Sequence, residues 1–314
     1  MGERLRVAVI AGGRTPERDV SLRGGHRVMT SLLALGHESR VIDPADVKLV
    51  EALREFRPDL CWLGLHGKDG EDGTVQRLLD LIDVPHTGTT AFDCQLTFDK
   101  MLAKDVLARA GVPTPAWTVV QESALRDLGA GAALSDALDR VGVPSVVKPT
   151  RSGSALGIVP VQRPADLAPA VLSALSFSGA VLIERRVEGT EVSVAALGAP
   201  LGALPAVEIV PKDGVYDYGA RYTAGATEYF APARLSPDVA QSVRTTAEQA
   251  FAALGTRDIG RIDMIVDADS VPWVLEGNVS PGMTETSLVP MAAHAAGLSF
   301  DALCDNVIQS ALSR

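Results

Sequence analysis

The 314-residue chain has little that would suit it to a membrane, a nucleic acid or an oxidising compartment. No apolar stretch approaches the roughly 18–20 residues that a membrane span needs. The three cysteines, Cys61, Cys94 and Cys304, are odd in number, far apart and outside any CxxC or Cys/His spacing, so reduced thiols are expected. Positive charge is in deficit: 29 Lys and Arg stand against 39 Asp and Glu, a net charge of −10, which argues against a nucleic-acid partner and leaves small molecules as the default ligand. Two nucleotide fingerprints are missing as well. In "VVKPTRSGSALGI" the lysine precedes the glycines and no helix follows, so this is not a Walker A loop. "AGGRTPERDVSLRGG" is not a GxGxxG turn, which counts against a dinucleotide oxidoreductase. There is no internal repeat and no low-complexity tract beyond an alanine bias. The opening "MGERLRVAVIAGG" turns to glycine after one short apolar run and does not read as a signal peptide, so a cytoplasmic protein is expected.

What is present is an ordinary globular balance, 46 % hydrophobic and 22 % charged, in a chain long enough for two or three domains. "RVAVIAGG", "HESRVIDP" and "DLCWLGLHG" read as strands alternating with the helix "VSLRGGHRVMTSLLALG", which implies a parallel sheet over about the first 90 residues. "TFDKMLAKDVLARAG" predicts one amphipathic helix, the prolines of "VPTPAWTVV" a linker into a strand, and Ala-rich 120–143 more helix. "SVVKP", "GIVPV", "AVLIERRV" and "EVSVAAL" then predict short antiparallel strands, and the chain ends in a helix near "LCDNVIQSALS".

The segment "RIDMIVDADSVPWVLEGN" carries the main chemical signal. Asp267 to Ser270 are turn formers between two apolar runs, so a β-hairpin is expected. A four-residue loop sets Val266 opposite Val271, Asp263 opposite Val274 and Arg261 opposite Glu276. Period-two alternation then gives Arg261, Asp263, Glu276 and Asn278 one face, with Ile262, Met264, Leu275 and Gly277 on the other. Two carboxylates and an amide oxygen suit Mg²⁺, which takes few protein oxygens and completes its octahedron with water and phosphates. A solvated strand face, or an Arg–Glu pair, fits the same pattern. The loop after Lys148, with Ser152, Gly153, Ser154 and Gly157, would let backbone N–H groups approach an anion beside an ammonium, and an ordinary hairpin loop fits it too.

Seven segments in order, "GGRTPERDVSL", "LHGKDGEDGTVQ", "PHTGTTAFDCQLTFDK", "VVKPTRSGSALG", "VLIERRVEGTEVSV", "VYDYGARYTAGATEYF" and "GRIDMIVDADSVPWVLEGNVSPGMTETSLVPMAA", make the chain resemble the D-alanine–D-alanine ligases of the ATP-grasp superfamily over nearly its whole length. The resemblance implies an α/β and α+β protein with an ATP-grasp fold: an N-terminal Rossmann-like open α/β domain (1–90), a central subdomain (91–183) and a C-terminal subdomain with the metal and substrate sites (184–314). It implies ATP-driven joining of two D-alanines through an acyl phosphate, for peptidoglycan synthesis, by a cytoplasmic homodimer with no nucleic-acid or membrane partner. By the same resemblance Asp263, Glu276 and Asn278 hold two Mg²⁺ ions, with Mn²⁺ able to substitute. Lys100 and Lys148 grip ATP, Glu184, Arg185, Arg186 and Val187 border adenine, Glu191 takes the ribose hydroxyls, and Ser154 and Arg221 lie on the ATP side. Arg261 and the Gly282 N–H form the oxyanion hole. Glu17 takes the ammonium of the first D-alanine with His66 nearby, and Ser287 and Leu288 hold the second amino acid. Glu17, Ser154 and Tyr222 form a hydrogen-bonded trio across the substrates.

Taken alone, His66 also fits a structural loop histidine, Tyr222 an exposed loop aromatic and Lys100 a solvated helix surface. Five positions depart from the family pattern. Arg221 precedes Tyr222 where lysine is usual, and Gly219 replaces a glutamate. Glu285-Thr286 stands where Ser-His is common, and Arg186 where an aromatic often lies against adenine. Glu285 is expected to face solvent. Two further readings are a ligase of the same family using another amino or hydroxy acid as acceptor, and a catalytically silent nucleotide- or metabolite-binding protein of the same fold. Intact metal ligands and oxyanion arginine weigh against the silent one.

Overall fold

The computed structural model describes residues 4–212, 219, 223 and 225–314, and among these the strands form three sheets. The first is parallel, in the order β2–β1–β3: β1 (Arg6–Ile10) lies between β2 (Glu38–Ile42) and β3 (Leu60–Leu63). Val7, Ala8, Val9 and Ile10 are all fully buried, because helices cover both faces of a parallel sheet and every side chain of its central strand must be apolar. The crossovers are α1 (Arg18–Ala34) and α2 (Leu49–Phe56), and α3 (Thr74–Leu81) follows β3.

The helix expected over 97–111 is instead two, α4 (Ala91–Phe98) and α5 (Lys100–Arg109). Asp99 between them is extended (φ −87°, ψ 104°) and its carboxylate accepts the Met101 N–H at 3.1 Å, an N-cap that starts a new helix rather than continuing the old one. Lys100 thereby becomes the first residue of α5 and is buried, not solvated.

The second sheet is antiparallel, in the order β4–β7–β5–β6 (Trp117–Gln121, Ala180–Arg185, Ser145–Pro149, Val159–Val161). Its helices are α6 (Glu122–Asp127), α7 (Leu134–Val141) and α8 (Leu167–Leu175), so the Ala-rich segment is helix broken by a 3₁₀ turn at Ala130–Ala133. The third sheet runs β11–β10–β8–β12–β13, with β9 (Gly202–Ala203) at the end of β8. Its strands are β8 (Thr190–Leu197), β10 (Val207–Pro211), β11 (Thr227–Phe230), β12 (Ile259–Val266) and β13 (Pro272–Asn278). One face, with Val192, Val194, Ile262, Met264 and Val274, packs on α5 and on α9 (Pro237–Ala253). The other, with Ala195, Leu197 and Ile259, joins the first sheet, α10 (Leu288–Ala295) and α11 (Phe300–Leu312) in one core. None of the helices is long and apolar enough to cross a membrane, among the described residues.

The β12–β13 hairpin differs from its expected register. Val266 pairs with Pro272, not Val271, so the loop has one more residue. Beyond Met264, which pairs with Val274, a β-bulge inserts Leu275, and Asp263 then pairs with Glu276 and Arg261 with Asn278. A one-residue slip carries every side chain to the opposite face. Here two occur in succession: the longer turn puts Val274 on the core face, and the bulge returns Glu276 and Asn278 to the face of Asp263 and Arg261. The four polar residues do share a face, but through the bulge and not through uniform alternation.

The chain passes from the second sheet to the third at Gly189, whose φ is +157° and where a Cβ would run into the Val266 carbonyl oxygen. Gly189→Ala is therefore expected to lower stability by roughly 1–3 kcal/mol, read as a lower melting temperature; an unchanged melt would show that this junction can yield.

Candidate active site

Asp263 is buried, and a buried carboxylate stays ionised only if it is paired. Arg261 supplies the pairing, with Nε on Oδ1 and Nη2 on Oδ2, each at 2.8 Å, and Ser193 Oγ donates to Oδ1 at 2.7 Å. The sheet register brings these groups together: Ser193 of β8 lies opposite Asp263, and Glu191 opposite Ile265, so Glu191 and Ser193 fall on the face that carries Asp263. Across β13, Asn278 Oδ1 accepts the Ser280 N–H at 2.9 Å. Among the described residues no three His, Cys, Asp or Glu side chains gather into a metal cage. The donor set of Asp263, Glu276 and the Asn278 amide still fits Mg²⁺, an ion content with one or two carboxylates when phosphates supply further oxygens.

Opposite this face lies the loop between β5 and β6. Ser154 (φ +49°) and Ala155 (φ +57°) are both left-handed, a conformation that non-glycine residues occupy at a cost and that is concentrated at functional sites. Gly157 (φ +76°) has no room for a Cβ, which would meet Phe177 and Pro149 at 2.7 Å. Lys100 Nζ donates to the Ser152 carbonyl at 2.7 Å and lies 3.5 Å from Glu276 Oε2, so one ammonium ties the loop to the hairpin. Lys148 Nζ is 2.5 Å from Glu184 Oε1, and Lys104 Nζ, from α5, is 2.5 Å from Oε2. Burial alone would push Glu184 up, but the ammoniums of Lys148 and Lys104 outweigh it and hold the carboxyl below its usual range. Its carboxylate thus faces lysines, its backbone lies in the ladder between Trp117 of β4 and Val146 of β5, and it lines neither of the two cavities of the site. The N–H groups of Arg185 and Arg186 go to the carbonyls of Ala116 and Pro144. The Arg185 guanidinium lies 4.9 Å from the Trp273 ring centroid, and Arg186 is exposed.

A cavity of about 460 Å³ gathers Glu17, His66, Lys100, Ser154, Arg261, Glu276, Asn278, Gly282, Ser287 and Leu288. A second, of about 120 Å³, is lined by Lys148, Glu191, Asp263, Leu275 and Glu276. Glu276 borders both. Arg185, Arg186 and Val187 line neither, and Arg221 and Tyr222 lie outside the described residues. Ser154 donates a short hydrogen bond to Glu17, which joins the loop of the second sheet to the start of α1. A Cβ on Gly67 would sit 2.7 Å from Glu17 Oε2, so only glycine lets that carboxylate lie where it does. His66 Nδ1 lies 2.9 Å from the Ser280 carbonyl, which fixes the proton on Nδ1, and burial holds the ring's pKa below its ordinary value despite the charge of Glu17. Ser287 stands at the N-cap of α10, and its Oγ takes the Thr284 N–H at 3.0 Å. A helix N-terminus there suits a carboxylate. Glu285 is 67 % exposed, 3.8 Å from Arg23 and 3.9 Å from Arg27, as expected for a solvent-facing residue.

Three residues of the site were missed from sequence: Ser193, Lys104 and Glu71. Ser193 had a signal, since Glu191-x-Ser193 is a polar stripe on a strand otherwise apolar. Lys104 shares a helix face with Lys100 at i, i+4. Glu71 lies in the same segment as His66 and lines the larger cavity. Burial, then the charge of Glu17, pushes its carboxyl up to about 7, against a smaller opposing effect of the Gly67 N–H. A carboxyl raised in the folded state binds a proton that the unfolded chain has released, so stability falls as pH rises from about 4.5 toward 7. Glu71→Gln should therefore melt higher than the parent at pH 8 and converge with it near pH 4.5; parallel melting curves across that range would contradict the assignment.

Residues 106–309 match the family described as "D-ala D-ala ligase C-terminus". A D-alanine–D-alanine ligase of Desulforamulus reducens is 42 % identical over 312 residues, 99 % of each chain. The structure of a D-alanine–D-alanine ligase from Bacillus anthracis complexed with ATP superposes with a TM-score of 0.84 at 28 % identity, covering 98 % of both chains. That of a D-Ala:D-Ser ligase from Enterococcus faecalis superposes with a TM-score of 0.85 at 25 % identity, covering 98 % of this chain and 100 % of that one. Matched by that family over residues 106–309 and 42 % identical to one of its ligases over 99 % of its length, the chain belongs to the D-alanine–D-alanine ligase family.

Proposed function

We infer that the protein joins two D-alanines into D-alanyl-D-alanine, using ATP to activate the first carboxylate as an acyl phosphate, as a step toward peptidoglycan. The observation that carries this reading is the shared position of Glu276, which borders both cavities, one lined by Lys148, Glu191 and Asp263 and the other by Glu17, Arg261 and Ser287. A carboxylate is a poor electrophile, so it needs a leaving group and must be held against the attacking amine away from water.

In this reading the smaller cavity takes the end of the nucleotide nearest Lys148, with Glu191 at the ribose and the backbone of 184–187 beside adenine. Because the N–H groups of Arg185 and Arg186 are committed, adenine would be read by the carbonyls there or by Val187. Lys100, Lys148 and Arg221 balance triphosphate charge. Asp263, Glu276 and Asn278 would hold two Mg²⁺ ions, or Mn²⁺, and such ions when bound neutralise phosphate oxygens and orient them for transfer. On the other side Glu17 receives the ammonium of the first D-alanine, beside neutral His66. Arg261 and the Gly282 N–H face the oxygen that gains charge when the acyl carbon becomes tetrahedral. Ser287, at the start of α10, and Leu288 take the second amino acid. The Glu17–Ser154 hydrogen bond supports the trio that Tyr222 would complete.

Incubation with ATP, Mg²⁺ and a panel of D- and L-amino acids should give phosphate and a D-alanyl-D-alanine mass only with D-alanine. Release only with a mixed pair would favour a different acceptor, and no amino-acid-dependent release would favour a silent binder. Glu276→Gln should lower turnover by on the order of 100-fold or more with the melt retained, since about 3 kcal/mol of charge stabilisation corresponds to that factor; wild-type turnover would contradict the metal role. Glu285→Ala should leave the ratio of D-alanine to D-serine use unchanged, because this side chain pairs with Arg23 and Arg27 at the surface; a changed ratio would bring Glu285 into the acceptor pocket.

A further inference from the structure

Lys104 is 1 % exposed, the most buried lysine of the chain among the described residues, and the family reading gives it no task. It stands one helical turn after Lys100 on α5, so both ammoniums leave the same helix face. Lys100 reaches the Ser152 carbonyl, and Lys104 reaches Glu184. The directed hydrogen bonds of Lys104 go to Thr114 Oγ1 at 2.6 Å and the Pro115 carbonyl at 3.3 Å, while its 2.5 Å approach to Glu184 Oε2 is an ionic contact. Thr114 Oγ1 in turn donates to the Val274 carbonyl at 2.8 Å, at the bulge of β13. Lys104 is thus fixed by the segment that leads into β4, which Thr114 ties to the third sheet, and presses its charge on a carboxylate of the second.

We propose that Lys104 is a positioning residue of the nucleotide pocket: it takes up one oxygen of Glu184, so that Lys148, on the other oxygen, retains positive charge for the phosphates. The inference rests on the reading that Lys148 meets the nucleotide. Charge counting carries it. Lys104, Lys148 and Glu184 together bear one net positive charge, and Lys148 is the member that lines the smaller cavity, alongside Glu191, Asp263 and Glu276. Glu276 and Glu191 also act on Lys148, so the less of its charge Glu184 takes up, the more of it is left to act on a phosphate in that cavity. Without Lys104 the whole charge of Glu184 falls on Lys148 and the trio is neutral. With Lys104 and the charge of Glu184 both removed, Lys148 again carries a positive charge that Glu184 does not offset. Glu184 outweighs burial to hold Lys148 above its ordinary pKa, whereas burial, aided by the charge of Lys148, takes Lys104 below its own. Lys148 is accordingly the secure cation and Lys104 the one sustained by its partner.

Calorimetric titration of ATP and of adenosine into the parent, K104M and K104M/E184Q tests this, with melting temperatures recorded alongside. K104M should bind ATP about 10- to 100-fold more weakly while adenosine affinity changes by less than about threefold, since the effect passes through the phosphates. K104M/E184Q should recover ATP affinity to within about threefold of the parent. Unchanged ATP affinity in K104M, or equal loss of ATP and adenosine with no recovery in the double variant, would overturn the proposal in favour of packing alone. If K104M does not fold, the double variant decides by itself: a loss of tenfold or more in ATP affinity overturns the proposal. Failure of the parent to bind ATP would overturn the nucleotide reading and this inference with it, whereas the other contrary outcomes strike only the role of Lys104.

Discussion

The site depends on keeping an ionised carboxylate, Asp263, in a buried position. Stripping a carboxylate of water and leaving it unpaired costs several kcal/mol, more than most single contacts return. Arg261 offsets that with two N–H donors in fork geometry, and Ser193 adds a third donor from the neighbouring strand. The arrangement requires Ser193, Arg261 and Asp263 to lie on one face of two paired strands, and it requires Glu276 and Asn278 to arrive on that face from a third. The bulge at Leu275 meets the second requirement. A regular hairpin from the same turn would have sent Glu276 and Asn278 into the core formed by Ile262, Met264 and Val274.

Charge then alternates across the cleft. The hairpin presents acids, and α5 and the second sheet present Lys100 and Lys148, the first of them already 3.5 Å from Glu276. In the proposed reading a triphosphate with divalent ions would lie between these surfaces, the ions answering the acids and the phosphates the lysines. Helix α5 matters more than its length suggests. Its N-cap at Asp99 and its two lysines, one turn apart, connect the loop, the carboxylate of Glu184 and the β13 bulge. On the far side, the Ser154–Glu17 bond links the same loop to the amino-acid cavity, so movement of the loop would be felt at both ends.

Much of this was legible in the sequence. The parallel sheet followed from strands such as Val7 to Ile10 alternating with helices, and the antiparallel strands from short runs separated by turn residues. The common face of Arg261, Asp263, Glu276 and Asn278 was also legible, though by a compensating pair of errors: the loop is one residue longer than its turn formers suggest, and the bulge cancels the shift. Neither could be read from residue types, because Val271 and Leu275 suit a strand equally well in either register. The break at Asp99 was hidden for a related reason. Aspartate is compatible with a first helical turn as well as with a cap, and only the extended backbone decides between them. Glu71 and Lys104 escaped because what makes them unusual is burial, and charged residues on a loop and a helix surface are exposed far more often than not. The direction of Glu184 was hidden too, since its two lysines come from a different helix and a different strand.

The central claim is that one hairpin face binds a nucleotide through divalent ions. Calorimetric titration of ATP into the purified protein, with Mg²⁺ present and then removed by chelator, tests it most directly. The account predicts binding that weakens at least about tenfold without the ion. Equal affinity in both conditions, or no uptake in either, would contradict it.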